Sequence, residues 1–213
     1  RTATIADCVP GEVMLVDTAC VAPVRSIAGT HDRAFRFRSA AEASWKERLD
    51  RDWPKASLDA PEAKTADLPN GTLDLASIDL GLTIGDWDID HSIGPVPDLR
   101  GGMAAADARW EAFRDRSLSR YHRRRNDAID EDGVSGLSPY LHHGMISPMR
   151  IARDAHRTGG EGGEKFLDEL LVWRELAHHF CLHQPNHDAL EALPSWARKT
   201  LDRHRRDERP GRR

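Results

Sequence analysis

The stretch "SGLSPYLHHGMISP", residues 135 to 148, combines hydroxyl side chains with turn-forming residues. Its two serine-proline pairs begin at Ser138 and Ser147, and each is typical of a helix N-cap followed by the first helical residue. Gly144 lies between the pairs and is typical of the end of a helix. The stretch therefore predicts two helix starts close together in the chain.

Helix starts of this kind could bind an anion, because their first N–H groups lack intrahelical partners and carry a partial positive charge. Ser135 and Ser138 add hydroxyl groups, and Gly136 lets the backbone approach a ligand closely. A phosphate or pyrophosphate group would be the expected ligand. The same residues also fit two well-capped helices and a tight turn that bind nothing, and local signals leave both interpretations open.

Three histidines, His179, His183 and His187, occur at steps of four, as in a helical metal-binding ladder. Pro185 interrupts the helix that this ladder would need, and no carboxylate has the expected spacing. We therefore predict no metal site.

Composition favours a soluble chain, since 39% of the 213 residues are hydrophobic, 31% are charged and the mean hydropathy is -0.62. The net charge of -4 hides basic segments, with seven arginines in residues 109 to 125 and eight bases in residues 198 to 213. These segments fit either solvated helix faces or contact with a polyanion. Three widely spaced cysteines indicate no disulfide framework and favour a reducing, cytoplasmic setting.

The elements that would position these residues are predicted in order along the chain. Valine-rich residues 11 to 24 are the one strand candidate, and residues 39 to 53 form a helix. Residues 54 to 102, rich in Pro, Gly and Asp, are predicted to be mainly loop with short helical turns. From residue 103 the pattern is helical nearly to the end of the chain.

Apolar side chains recur at helical spacing in three segments, and each set predicts a buried helix face. The first set is Ala41, Trp45, Leu49 and Trp53, the second is Ala106, Trp110, Phe113, Leu118 and Tyr121, and the third is Phe166, Leu170, Trp173, Ala177 and Phe180.

Four motifs carry a resemblance to a known family: "YHRRRNDA", "SGLSPYLHHGMIS", "FLDELLVWRELAHHF" and "QPNHDALEALPSWARKTL". In order and spacing they resemble class II cyclobutane-pyrimidine-dimer photolyases, of the photolyase and cryptochrome superfamily. The segments "VDTACVAPV" and "DRAFRFRSA" are similar to the end of that family's antenna-binding domain and the start of its interdomain connection.

The resemblance implies a mainly α-helical fold with three parts. Residues 1–38 would be the C-terminal remnant of a truncated α/β, Rossmann-like domain, including its last strand, and residues 39–102 an interdomain connector. Residues 103–213 would be the N-terminal part of a helical FAD-binding domain. The chain is thus expected to be an internal piece of a longer protein, which would also carry a second antenna chromophore.

The resemblance also assigns site residues. Tyr121 would lie against the FAD, and Ser135, Gly136, Leu137 and Ser138 would hold its diphosphate. Glu169 and Trp173 match positions that line the pocket for the flipped-out dimer, although Trp173 could instead be core and Glu169 only border it. Arg198 and Lys199 are expected to contact the DNA backbone, with a solvated surface as the alternative.

The implied function is light-driven repair of cyclobutane pyrimidine dimers in DNA by electron transfer from reduced FAD, by a monomeric protein that does not enter a membrane. One alternative within the family is a cryptochrome-like flavin photoreceptor. A second, from another class, is a noncatalytic helical nucleic-acid-binding module in which residues 135 to 148 are only a capped turn.

Overall fold

A computed structural model describes residues 16–31, 33–51 and 77–208, and these residues are mainly α-helical and contain no strand. The α-helices are α1 (Ala34–Asp50), α2 (Leu80–Gly85), α3 (Met103–Arg116), α4 (Tyr121–Arg124), α5 (Ser138–His142), α6 (Pro148–Thr158), α7 (Gly160–Leu167), α8 (Arg174–His183) and α9 (Ser195–Arg203). Short 3-10 helices cover Val24–Ser26, Leu118–Arg120, Glu131–Gly133 and Leu190–Ala192, and a π-helix covers Asp168–Trp173. The predicted mainly α-helical class is therefore confirmed.

The described residues belong to two compact units. The first contains the residues up to Arg51 together with those from Gly101 onward, and it holds the buried core. The second, ending at Arg100, contains α2, which begins where the Asp79 side chain accepts hydrogen bonds from the backbone N–H groups of Gly81 and Leu82. The mainly irregular structure predicted after residue 54 agrees with its described part, residues 77 to 100. The predicted domain boundaries stay predictions.

The predicted strand, residues 11 to 24, lies partly outside the described residues and stays a prediction. Its described part is irregular, although Val21 and Ala22 are fully buried. Their backbone N–H groups are satisfied by a side chain, because both donate to the carboxylate of Glu175, over 2.5 and 3.3 Å. Burial of this apolar segment therefore requires no sheet partner at these two residues.

The carboxylate of Glu175 joins three parts of the first unit. Besides Val21 and Ala22, it accepts a hydrogen bond of 2.8 Å from Nε1 of Trp45 on α1. Glu175 is 1% exposed, and its neighbour Arg174 donates through Nη1 to the carbonyl of Ala19, over 2.5 Å. The Arg-Glu pair of the "WREL" motif thus holds the segment before α1 against α8.

The first two predicted apolar faces are confirmed within the described residues, except that Tyr121 of the second face is only half-buried. On α1, Ala41, Trp45 and Leu49 are buried and Phe37 joins them, while Trp53 lies outside the described residues. Helix α1 begins earlier than predicted, at Ala34. On α3 and the 3-10 helix after it, the buried residues are Ala106, Trp110, Phe113 and Leu118.

A glycine in α7 allows two backbones to touch. A Cβ built on Gly162 would lie 2.0 Å from the carbonyl oxygen of Leu118 and 2.6 Å from that of Ser119. No other residue fits at position 162 without moving the backbone. This close approach brings Phe166 of α7 against the aromatic rings of Trp110 and Phe113, with centroids 5.5 and 5.6 Å apart.

The third predicted apolar face is wrong in its second half. Phe166 and Leu170 are buried, but Trp173, Ala177 and Phe180 are exposed. The π-helix from Asp168 to Trp173 adds one residue to a turn, so that the buried face continues instead through Leu171, Glu175 and His179. A regular 3.6-residue period cannot anticipate this change of register.

The burial of Glu175 predicts a pH-dependent stability. Loss of solvation raises the pKa of Glu175 to about 7, against an ordinary value of 4.5, despite the opposing hydrogen bonds from Trp45, Val21 and Ala22. The folded state then holds this proton more tightly than the unfolded chain. The free energy of unfolding should therefore fall as the pH rises from about 4.5 to about 7, by up to about 3 kcal/mol from this group.

Urea unfolding at several pH values measures this effect, and Glu175→Gln removes the titrating group. The variant should be less stable at pH 5, because its amide N–H₂ meets backbone and indole N–H donors. It should also lose most of the slope between pH 4.5 and 7. The matched control is Glu42→Gln, an exposed residue of α1 paired with Lys46. An unchanged slope in Glu175→Gln would show that other groups set the pH dependence.

Candidate functional site

The loop that precedes α5 is held by one arginine of α3. Arg109 donates through Nε to the carbonyl of Ser135, over 2.7 Å, and through Nη2 to the carbonyl of Val134, over 3.2 Å. Gly136 has a φ of +64°, which only glycine adopts readily, and Leu137 is 1% exposed. The backbone of the loop is therefore fixed on one side by packing and on the other by a guanidinium group.

The predicted cap at Ser138 is wrong by one residue. The residue that caps α5 is Leu137, so that Ser138 is already helical and Pro139 follows it, and no side chain makes a capping hydrogen bond. Helix α5 has only five residues, which gives it too few aligned peptide dipoles for the anion site predicted from its start. The exposed Ser138 hydroxyl remains available to a ligand.

The predicted features at the other end of the stretch are confirmed. Ser147 caps α6 by accepting a hydrogen bond from the N–H of Arg150, over 3.4 Å. Gly144 has a φ of +66° and follows the last residues of α5. The N–H groups of Gly144 and Met145 donate to the carbonyls of Leu141 and Tyr140, which is the pattern of a Schellman motif.

A cavity of about 350 Å³ lies beside Ser138. Its lining is Ala19, Ser138, Leu141, His142, Arg174 and His178. Arg174 reaches it from α8 and is held there by its bond to the Ala19 carbonyl. The structure thus places a guanidinium group and a serine hydroxyl around one cavity, a donor set suited to phosphate oxygens.

Tyr121 begins α4 and is half-buried among aromatic rings. Its ring meets those of Phe113 and Phe166 edge to face, with centroids 5.8 and 5.5 Å apart. Burial raises the pKa of the Tyr121 hydroxyl, and the nearby carboxylate of Glu169 raises it further. Tyr121 therefore stays neutral and lies close enough to Glu169 to feel its charge.

Glu169 lies in the π-helix between two cations. Its Oε1 is 3.1 Å from Nη1 of Arg125 and 2.9 Å from Nζ of Lys165. Lys165 is shared with Asp168, over 2.7 Å, and Asp168 also pairs with Arg38 of α1. The carboxylate of Glu169 is therefore oriented by the residue that follows α4 and by a residue of α7.

Trp173 is the last residue of the π-helix and is 53% exposed. The sequence left open whether this ring belongs to the core, and the structure places it outside the buried core. An indole ring with half of its surface in water can stack on a ligand without prior rearrangement of the core.

The two residues predicted to contact DNA, Arg198 and Lys199, are exposed on α9. This helix contains no buried residue, and Trp196, beside them, is 69% exposed. The structure places Arg198 and Lys199 on a helix that presents both charge and an aromatic ring to solvent.

Two of the three histidines considered as metal ligands, His179 and His183, lie close together. The third ring of this group is that of His31 and not that of His187. The ring centroid of His179 is 4.3 Å from that of His183 and 5.2 Å from that of His31, whereas His187 follows α8 in a turn. Among the described residues no group of three histidine, cysteine or acidic side chains has the geometry to hold a metal ion.

Sequence reasoning missed the contacts of four residues that build this region. Arg109 and Arg174 orient the loop and the cavity, Arg125 orients Glu169, and Glu175 fixes α8 against α1. The "WREL" motif was the available signal for Arg174 and Glu175. Nothing local marked Arg109, because its partners are backbone carbonyls about 25 residues away.

Comparisons with known proteins identify relatives of this chain. The chain is 37% identical to deoxyribodipyrimidine photo-lyase of Arabidopsis thaliana and 42% identical to that of Oryza sativa subsp. japonica, each over 139 residues. Both alignments cover 58% of this chain and 28% of the relative. A third relative of the same name, from Methanothermobacter thermautotrophicus, is 38% identical over 113 residues, which are 52% of this chain and 24% of the relative.

The chain thus matches about a quarter of the length of these curated relatives. No protein-family model matches it. The resemblance to photolyases inferred from the motifs is confirmed by these relatives. No helix among the described residues is long and apolar enough to cross a membrane.

The contact between Arg109 and Gly136 predicts a cost for any side chain at this glycine. A Cβ at Gly136 would lie 2.9 Å from Nε of Arg109, so Gly136→Ala should break one or both hydrogen bonds of that guanidinium. Gly144→Ala is the matched control, because its φ is equally positive and its Cβ position is open. Thermal unfolding should show Gly136→Ala less stable than Gly144→Ala by about 1–2 kcal/mol.

A double-mutant cycle tests the cause of this difference. In an Arg109→Ala background the clash is absent, and Gly136→Ala should then cost about as much as Gly144→Ala. If Gly136→Ala still costs the larger amount there, strain of the loop backbone and not the guanidinium contact is responsible.

Proposed function

We propose that this chain is part of a class II cyclobutane-pyrimidine-dimer photolyase and contributes to its flavin and dimer sites. The observation that carries this proposal is the cluster of Tyr121, Arg125 and Glu169, together with the exposed Trp173 four residues after Glu169 in the same π-helix. These residues fall in motifs shared with that family, and the chain has deoxyribodipyrimidine photolyases as relatives.

The residues present fit the diphosphate of FAD. The cavity beside Ser138 offers that hydroxyl and the guanidinium of Arg174, and both can donate to phosphate oxygens. A rigid backbone segment, formed by Ser135, Gly136 and Leu137, would run alongside the flavin. Tyr121 would pack against the flavin. When bound and reduced, FAD would supply a light-excited electron donor.

Glu169 and Trp173 would receive the extruded pyrimidine dimer. A pyrimidine dimer must leave the DNA duplex before the flavin can reach it. Because the damaged bases stack and pair weakly, this extrusion is less costly than that of normal bases. Trp173 would stack on the extruded dimer, and Glu169 would accept a hydrogen bond from a base edge. Arg125 and Lys165 hold the Glu169 carboxylate in place, so its orientation is set before the substrate arrives.

Contact with the DNA backbone would come from Arg198 and Lys199 on α9. Neutralised phosphates add salt-dependent affinity without sequence information. We also propose that the protein is a monomer, works in the cytoplasm with DNA, and carries a second antenna chromophore in its α/β domain. The domain boundaries at residues 38 and 102 belong to the same proposal.

Flavin retention tests the cofactor part of this proposal. The purified chain is incubated with FAD and passed through gel filtration, and the visible absorption of the protein fraction is recorded. Bound flavin is expected for the parent chain. Ser138→Asp should reduce retention at least about tenfold, because it places a carboxylate beside the diphosphate, where like charges repel.

The other serine-proline pair provides the control for this variant. Ser147→Asp keeps a good helix cap at α6 and should retain flavin like the parent chain. A colourless parent chain, or equal retention by both variants, would contradict the assignment of the flavin to this loop.

Trp173→Ala tests the dimer site. Loss of one stacking ring should weaken binding to a dimer-containing oligonucleotide roughly tenfold or more, since base stacking on an aromatic ring contributes about 1–3 kcal/mol. Binding to the undamaged oligonucleotide should change little. Fluorescence anisotropy with both oligonucleotides gives the two affinities, and light-dependent repair of the damaged one separates a photolyase from a photoreceptor.

The matched control is Trp87→Ala, which removes another exposed indole, 56% accessible, from the second unit. It should leave both affinities unchanged. Equal losses for damaged and undamaged DNA in Trp173→Ala would argue against a role for this ring in dimer recognition.

A further inference from the structure

Four arginines line a cavity of about 170 Å³ that is bordered by α3, the 3-10 helix after it and α4. We call this cavity the arginine pocket and define it by Arg109, Arg116, Arg120 and Arg124. Arg109 and Arg116 are seven residues apart and share one face of α3. Arg120 follows in the 3-10 helix and Arg124 in α4, so three consecutive elements direct guanidinium groups to one place.

The positive charge of the arginine pocket is only partly compensated. Arg124 forms two hydrogen bonds of 2.5 Å with the carboxylate of Asp130, and Asp132 is the single acidic residue in the lining. Arg109 is bonded to backbone carbonyls, which satisfy its N–H groups and leave its charge in place. An excess of positive charge therefore remains in the pocket.

Arg116 and Arg120 are the exposed members of the pocket. Neither forms an ion pair within 4 Å with any residue that the structure describes. The nearest acidic neighbour in sequence, Asp115, pairs with Arg114 instead, over 2.8 Å. These two side chains are thus able to turn toward an anion without breaking an existing pair.

The scaffold under the arginine pocket is rigid. Phe113 and Leu118 lie in the buried core between the arginines, and Ser117, which also lines the pocket, is buried. The Arg124 and Asp130 pair fixes one wall, and the bonds of Arg109 fix the other. Converging like charges on a fixed scaffold repel one another, and a bound anion relieves that repulsion.

We propose that the arginine pocket binds a phosphate group, at a site separate from the flavin. Planar guanidinium groups donate in pairs to phosphate oxygens, and several arginines around one cavity match the several oxygens of such a group. The phosphate could belong to a nucleic-acid strand or to a free phosphate compound, and both present the same chemistry to the pocket. This inference does not require that the chain binds flavin or repairs DNA.

Geometry separates the pocket from the cavity beside Ser138. The two cavities share no lining residue. Arg109 lies between the pocket and the loop, since its guanidinium is within 3.0 Å of the place where a Gly136 side chain would begin.

Calorimetric titration with inorganic pyrophosphate at low ionic strength tests the proposal. The parent chain should bind, and Arg116→Ala/Arg120→Ala should bind at least about tenfold more weakly. Arg116→Lys/Arg120→Lys keeps the charge but loses the paired donors, so it should fall between the two. The control Arg25→Ala/Arg157→Ala removes two exposed arginines elsewhere and should bind like the parent chain.

Two further measurements identify the source of the phosphate and the independence of the site. The first measurement is the affinity of an undamaged single-stranded oligonucleotide for the parent chain and for Arg116→Ala/Arg120→Ala, at several salt concentrations. If the variant binds the oligonucleotide more weakly, and the slope of affinity against salt falls by about two phosphate contacts, the phosphate is that of a nucleic acid. If only pyrophosphate binding is lost, the ligand is a free phosphate compound. Circular dichroism confirms that each variant is folded.

The proposal is overturned if the parent chain does not bind pyrophosphate, if Arg116→Ala/Arg120→Ala binds it as well as the parent chain, or if the control pair loses as much affinity as the pocket pair. It is also overturned if Arg116→Ala/Arg120→Ala loses flavin that the parent chain retains, because the pocket would then belong to the flavin site. Absence of flavin in every variant would count against the proposed function and would leave the pyrophosphate result unaffected.

Discussion

One buried carboxylate organises the first unit. Glu175 of α8 accepts hydrogen bonds from two backbone N–H groups before α1 and from the indole of Trp45 on α1. Replacement of Glu175 by an apolar residue would leave three N–H groups without this partner, which is more costly than the hydrogen bonds themselves are stabilising. The adjacent Arg174 faces the cavity beside Ser138 from the same turn of α8. The candidate flavin cavity therefore depends on the contact that fixes the fold.

A second constraint is the way in which charge is distributed around the helices. Glu169 is held between Arg125 and Lys165, so a carboxylate stays fixed at a partly open position. In the arginine pocket cationic groups are in larger excess, since four guanidinium groups and one acidic residue line the cavity. Both arrangements are supported by the same aromatic cluster, because Phe113 lines the pocket and also contacts Tyr121. One small core thus supports a fixed carboxylate and a cluster of guanidinium groups.

The sequence predicted those features that depend on neighbours along the chain. The buried faces of α1 and α3, the Ser147 cap and the glycine after α5 follow from local spacing and turn chemistry, and the structure has all of them. The shift of the α5 cap from Ser138 to Leu137 and the role of Glu175 could not be predicted in this way. They depend on packing and on partners about 150 residues away, as with the bond from Val21 to Glu175.

The π-helix from Asp168 to Trp173 has a consequence for how the chain can vary. It behaves as an α-helix into which one residue has been inserted. The inserted residue determines which side chains after it face the core. Deletion of a single residue here would rotate the rest of the helix by about 100°. Glu175 would leave its donors, and Trp173 would change its exposure in the same event. Substitutions can therefore accumulate in this segment one at a time, whereas a change in its length would alter the core contact and the candidate site together.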